Sequence, residues 1–147
     1  MTPQEWVANQ LPKMEEMLNA LIAIPSVQGP AAENAPYGKE PLACLEEFLR
    51  QAQSLGLAVS LEDQRMGEVH LGDGAPGLAI LGHLDVVPGW TEGVYPPYEL
   101  TKQEDVYYGR GVIDDKGPMI SALFALYYFL DQGISLDLPV MLLAGTD

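Results

Sequence analysis

Trp6, Val7, Met14, Met17, Leu18, Leu21 and Ile22 recur at helical spacing and predict a first helix with one apolar face. Thr2-Pro3-Gln4-Glu5 opens it as a capping box, with proline at the first helical position, where a missing N–H costs nothing. Pro12 lies inside the pattern and predicts a kink or a split, because proline removes a donor and crowds the preceding turn. Ile24-Pro25-Ser26 ends the helix, and the polar, proline-containing stretch from Gln28 to Gly38 reads as an ordered surface loop. A second helix is expected from about Pro41 to Leu55, with Leu42, Leu45, Phe48, Leu49, Ala52 and Leu55 on one face and Gly56 in the capping position. Leu57 to Leu61 is short and apolar, and Glu68-Val69-His70-Leu71 alternates, so both read as strands. Leu78-Ala79-Ile80-Leu81 has the continuous apolar character of a strand buried on both faces of a parallel sheet. After a long loop rich in Pro, Gly and Tyr, a largely apolar helix is predicted from Lys116 to about Leu130, and Pro139 to Ala144 as another buried strand. Helices alternating with apolar strands predict a layered α/β domain with a mixed, mainly parallel sheet.

Composition narrows the function classes. The 147 residues suit one domain, and 48% hydrophobic residues can bury a core. Seven Lys and Arg against twenty-one Asp and Glu leave a net charge of −14. That field repels phosphate backbones and anionic lipid, so neither nucleic acid nor a membrane surface is an expected partner, while divalent cations are favoured. Cys44 is the single cysteine, which excludes an internal disulfide. The first residues lack a basic segment followed by an apolar run, and the apolar stretch Met119–Leu130 is too short to span a bilayer. These features predict a soluble, cytoplasmic chain.

Two segments carry candidate chemistry. In Gly82-His83-Leu84-Asp85-Val86-Val87-Pro88, an extended backbone directs His83 and Asp85 to the same side. A metal-ligating histidine usually donates its other ring N–H to a carboxylate, which fixes the tautomer, and His-x-Asp supplies both partners. Alone, the pair is more often a surface contact. The second segment is Tyr108-Gly109-Arg110-Gly111-Val112-Ile113-Asp114-Asp115-Lys116-Gly117-Pro118. Its bland reading makes Asp114 an N-cap and Asp115 a first-turn carboxylate on the helix dipole. That reading leaves the glycine-framed arginine and the Lys-Gly-Pro helix opening unexplained.

Taken together, the two segments resemble the co-catalytic zinc exopeptidases, the family of aminoacylase, carnosinase and PepV-like bacterial dipeptidases. Leu21-Ile22-Ala23-Ile24-Pro25-Ser26-Val27 resembles the family's first-helix exit, and Ala35-Pro36-Tyr37-Gly38 with Asp115-Lys116-Gly117-Pro118 resembles the dipeptidase branch. The resemblance implies a three-layer α/β/α catalytic domain, of which residues 1–147 form the N-terminal part, with no lid or dimerisation domain. It implies His83 as a ligand of one metal, Asp85 as the catalytic-site carboxylate orienting that histidine, and Asp114 as the carboxylate bridging two divalent ions. Zinc is the implied metal, with manganese or cobalt as alternatives. The implied substrate is a dipeptide or an N-acyl amino acid, cleaved by water activated between the metals.

The family continues past a Gly-Thr-Asp-like strand end into paired glutamates, and supplies a further carboxylate and a second histidine. None of these precedes Asp147, so the chain reads as the first third or so of a dipeptidase, inactive alone and requiring the missing C-terminal half. The rival reading is a non-catalytic remnant that binds metal weakly or acts through protein contacts. A magnesium-dependent phosphate enzyme built on Asp114 and Asp115 is disfavoured by the charge and by the lack of a phosphate loop. His70 is expected to point outward from its strand, and Cys44 to be a buried structural thiol. Trp90, Tyr95 and Tyr98 are expected either to shape a substrate cleft or to pack at its rim.

Overall fold

A computed structural model describes residues 1–147. Helix α1 spans Pro3–Ile22 and begins in the expected capping box, with Thr2 Oγ1 accepting from the Glu5 N–H and the Glu5 carboxylate accepting from the Thr2 N–H. Pro12 does not split it. Tertiary packing holds the helix on both sides of that proline. Trp6 is buried against Phe124, Tyr127 and Tyr128 and donates to Asp131 at 2.7 Å, while Met17, Leu21 and Ile22 are buried further along. Helix α2 spans Lys39–Ser54 and buries Cys44, Leu45, Phe48, Leu49 and Ala52. Helix α3 spans Lys116–Asp131 and buries Met119, Ile120, Leu123, Phe124 and Leu126. No helix is long and apolar enough to cross a membrane.

The strands are β1 (Ala58–Glu62), β2 (Met66–Leu71), β3 (Leu78–His83), β4 (Thr101–Gln103), β5 (Val106–Tyr108) and β6 (Val140–Gly145). Four of them form one sheet in the order β1-β2-β6-β3. It is mixed, as expected, but only β3–β6 is parallel; β1–β2 and β2–β6 are antiparallel. The expectation of a mainly parallel sheet is corrected here. The turn at Asp63 and Gln64, both with positive φ, folds β2 straight back on β1, and a short reversal of that kind can only give antiparallel partners. Burial of β3 on both faces is corrected as well. It lies at the edge of the sheet, with Leu78 and Leu81 exposed, Leu81 by 70%.

Alternation sorts the sheet into two unlike faces. Val59, Val69, Leu142 and Ile80 stand in register and join the one core that all three helices share. The neighbouring row, Ser60, Glu68, Leu143 and Leu81, faces the other way and lies outside that core. The chain therefore forms two layers, its three helices packed on one face of the sheet. A short hairpin, β4–β5, sits in the long loop before α3 and was not anticipated by the pattern. Its turn uses Glu104 with positive φ, where no glycine or asparagine marks the reversal.

Candidate functional site

The site forms where β3 ends. The Leu84 N–H donates to the Gly145 carbonyl at 2.9 Å, so pairing with β6 continues one residue past His83. Leu84 and Val86 point into the interior, and His83 and Asp85 share the opposite side. The His83 ring is held at both nitrogens. Nδ1 lies 3.1 Å from the backbone carbonyl of Asp85, and Nε2 lies 3.0 Å from Oδ1 of Asp114. The Asp85 carboxylate stands 3.4 Å from Nδ1 without a hydrogen bond, and its Oδ1 is buried with no partner. The carbonyl, rather than the carboxylate, thus takes the ring's orienting bond.

The second half of the site comes from the loop entering α3. Gly111 turns the chain with φ +93°, a conformation that favours glycine, and packs against the stem of Lys116. Asp114 precedes the helix and is 81% exposed, with its carboxylate directed at His83. Asp115 occupies the N-cap position but makes no capping bond with its side chain. Its Oδ2 accepts instead from the backbone N–H of His83 at 3.1 Å. That approach crosses Gly82, where a Cβ would fall on Asp115 Oδ2 and Met119 Sδ, so the glycine before His83 makes the contact possible. The two aspartates, joined by a cis peptide bond, both serve His83, one at its ring and one at its backbone. The bland reading of Asp114 as the helix cap is not what the geometry shows.

The electrostatics follow from this crowding of acceptors. Burial works to lower the His83 pKa, but the Asp85 carbonyl and the carboxylates of Asp85, Asp115 and Asp114 outweigh it and raise the pKa above the ordinary histidine value. Burial raises the Asp85 pKa, opposed by His83. Behind the site lies a fully buried cation, Lys116, whose pKa is lowered by burial against the opposing pull of Cys44 and Asp85. Burial likewise raises the Cys44 thiol, which fits the expected inert structural role.

Sequence reasoning placed His83, Asp85 and Asp114 near one another, and the fold brings all three together. It assigned no role to Ser26, which is fully buried and donates from Oγ to the Leu84 carbonyl at 2.6 Å. The Ile24-Pro25-Ser26 run was the available signal, read only as a helix exit. His70 sits beside Glu68 at 3.1 Å on the face of the sheet away from the core and takes no part. In the aromatic loop, Trp90 donates to the Tyr95 carbonyl, Tyr98 accepts from the Gly89 N–H, and Arg110 lies 5.2 Å over the Trp90 ring. These contacts tie the loop to itself. An apolar hollow of about 350 Å³ between α1, β5 and the start of α3, lined by Leu11, Met14, Leu18, Tyr107, Ile113 and Ile120, contains none of the three site residues.

The donor set suits a divalent cation. One imidazole nitrogen and one carboxylate oxygen face each other at 3.0 Å, a hydrogen-bond separation, and would have to part slightly to the roughly 3.3–3.6 Å between ligands bound tetrahedrally at about 2.0–2.2 Å. The buried, unpartnered Asp85 oxygen adds negative charge beside the ring. No group of three or more His, Cys, Asp or Glu side chains converges to complete a coordination shell.

Residues 79–147 match the pattern of Peptidase family M20/M25/M40. A Staphylococcus aureus (strain USA300) protein named "Putative dipeptidase" is 35% identical over 135 residues, covering 88% of this chain. The chain spans 28% of that relative's length. Human carnosine dipeptidase 1 superposes with a TM-score of 0.81 over 97% of this chain and 33% of its own, at 21% identity. An M20 family metallo-carboxypeptidase from Sulfolobus solfataricus superposes with a TM-score of 0.72 at 24% identity, over 90% of this chain and 30% of its own.

Proposed function

We propose that the chain, whose residues 79–147 match Peptidase family M20/M25/M40, is part of a member of that family and carries the His83–Asp114 half of a metal-dependent dipeptidase or N-acyl amino acid hydrolase site. The observation that carries the proposal is the 3.0 Å approach of His83 Nε2 to Asp114 Oδ1 at the carboxyl end of β3. In this reading His83 would ligate one ion, Asp114 would be shared between two, and the Asp85 carboxylate would add buried negative charge beside a ring that the Asp85 carbonyl orients. Zinc is the proposed metal, with manganese and cobalt as functional substitutes. Bound there, the ions supply Lewis-acid polarisation of a carbonyl oxygen and ease the deprotonation of water.

The chain's own residues do the positioning. The Asp85 carbonyl holds Nδ1 and leaves Nε2 facing Asp114. Asp115 pins the His83 backbone, so the ring cannot drift along the strand end. A two-metal site needs more donors than His83 and Asp114 provide, and they must come from outside the cluster described here. The chain alone is therefore proposed to hold at most one ion, weakly, and to lack hydrolytic turnover.

Titration of the chain with cobalt(II), followed by visible absorption, tests this reading. Asp114→Asn and His83→Gln should each abolish the cobalt spectrum, and dipeptides and N-acetyl amino acids should stay intact with zinc, manganese or cobalt present. An unchanged cobalt spectrum in both variants would refute the ligand assignment. Metal-dependent hydrolysis that disappears in Asp114→Ala would refute the proposed inactivity.

A further inference from the structure

We propose that Ser26 and Lys116 are positioning residues, forming a buried clamp that sets the distance between His83 and Asp114 through the end of α1. The proposal rests on the reading of His83 and Asp114 as metal ligands. It starts from a topological problem. His83 leaves an edge strand and Asp114 precedes a helix, and the long loop between them does not fix their separation. Besides the direct bond from the His83 N–H to Asp115, both segments are anchored to a third, the exit of α1.

On one side, Lys116 Nζ donates to the carbonyls of Leu21 at 2.7 Å and Ile24 at 2.8 Å. These acceptors lie at the carboxyl end of a helix, where carbonyls lack intrahelical partners and a cation is favoured by the helix dipole. Lys116 is the first residue of α3, only two residues after Asp114, and has no exposed surface. A buried ammonium is expensive unless it is paired or fully hydrogen-bonded, so its place here is tied to those acceptors. On the other side, Ser26 brackets Asp85, two residues after His83. Its Oγ donates to the Leu84 carbonyl at 2.6 Å, and its carbonyl accepts from the Val86 N–H at 3.0 Å. The Ser26 N–H in turn donates to the Ile24 carbonyl at 2.8 Å, the acceptor that Lys116 also uses. A continuous set of hydrogen bonds thus runs from the first turn of α3, through residues 21–26, to the strand end that carries His83.

None of these bonds touches the His83 ring or the Asp114 carboxylate, so the clamp acts only through backbone placement. Mutations of groups that orient metal ligands typically cost about 10–100-fold in metal affinity, which sets the expected scale.

The test uses the two histidines of the chain as reporter and internal control. Ring nitrogen and carbon-bound proton signals of His83 and His70 are recorded by NMR at one fixed pH in Ser26→Ala, Ser26→Thr and Lys116→Met. Gln51→Met serves as a control, since Gln51 is a buried side chain bonded to the Met17 carbonyl of the same helix but away from the site. The expected result is a displacement of His83 toward free-imidazole values in Ser26→Ala and Lys116→Met, with His70 unmoved. Ser26→Thr, which keeps the hydroxyl, should restore the His83 signals, and Gln51→Met should leave both rings in place. Where the unsubstituted chain binds cobalt(II), the displaced variants should bind it roughly 10–100-fold more weakly. His83 signals unchanged in a folded Ser26→Ala chain would overturn the proposal, as would equal displacement of His70. If Lys116→Met does not fold, the Ser26 pair decides the matter alone. A chain in which His83 responds but cobalt never binds would refute the ligand reading and leave the clamp standing.

Discussion

Replacing Gly82 by alanine should damage the site and the fold together, by an amount the structure allows to be worked out. A methyl at this position would meet the Sδ of Met119 and the Oδ2 of Asp115. Met119 is buried in the shared core, so displacing it is overpacking, which costs about 1–3 kcal/mol. Moving the Asp115 carboxylate breaks its bond to the His83 N–H, and hydrogen bonds to charged groups are worth about 1.5–3 kcal/mol, with partial exposure favouring the lower end. Together these predict a loss of about 3–5 kcal/mol. For a chain of this size that is a fall of roughly 6–20 °C in Tm, at about 2–4 °C per kcal/mol. The assay is urea and thermal unfolding followed by circular dichroism. Comparing Gly82→Ala, Asp115→Ala and the double variant then isolates the contact, because in the Asp115→Ala background the added methyl should cost only the Met119 share. A coupling of about 1.5 kcal/mol is expected. A Gly82→Ala chain that melts within about 2 °C of the original, or costs that simply add, would refute the account of why glycine precedes His83.

Two further outcomes are expected. Because the folded-state pKa of His83 is raised above 6.5, the stability it contributes is fully present below that value and is lost as pH rises through the raised folded pKa. In the presence of a chelator, the difference in Tm between the original chain and His83→Gln should therefore shrink as pH increases from about 6 to about 9, and a constant difference would contradict this. On the face of the sheet outside the core, Leu81→Lys should change stability by no more than about 0.5 kcal/mol and reduce self-association measured by sedimentation, since an exposed edge strand is blunted by lysine. A large loss of stability would show that this face is covered in solution.

Much of the chain was legible because its signals are local. The Thr2–Glu5 capping box, the apolar faces of α1 and α2, and the start of α3 at Lys116 depend on residues within a turn or two of one another. The pairing of Gly-His-x-Asp with Gly-Arg-Gly-x-x-Asp-Asp-Lys-Gly was equally visible, since a motif survives in the order of residues. Strand direction was not. Leu78–Leu81 and Val140–Gly145 carry the same apolar character whether their neighbours run parallel or antiparallel, and only the tight turn at Asp63–Gln64 and the insertion of β6 between β2 and β3 decided it. Nor does the sequence alone reveal that Pro12 is tolerated: a lost helical bond costs about 3 kcal/mol, and only the burial of Trp6 on one side and Met17 and Leu21 on the other offsets it. At the site, the resemblance carried by the two motifs pointed to His83, Asp85 and Asp114, but not that a backbone carbonyl holds Nδ1, that Asp115 reaches across Gly82 instead of capping its helix, or that Ser26 and Lys116 join the two halves. Those are contacts between residues far apart in the chain, made through backbone atoms that every residue shares, and such contacts exist only once the helices and sheet have packed.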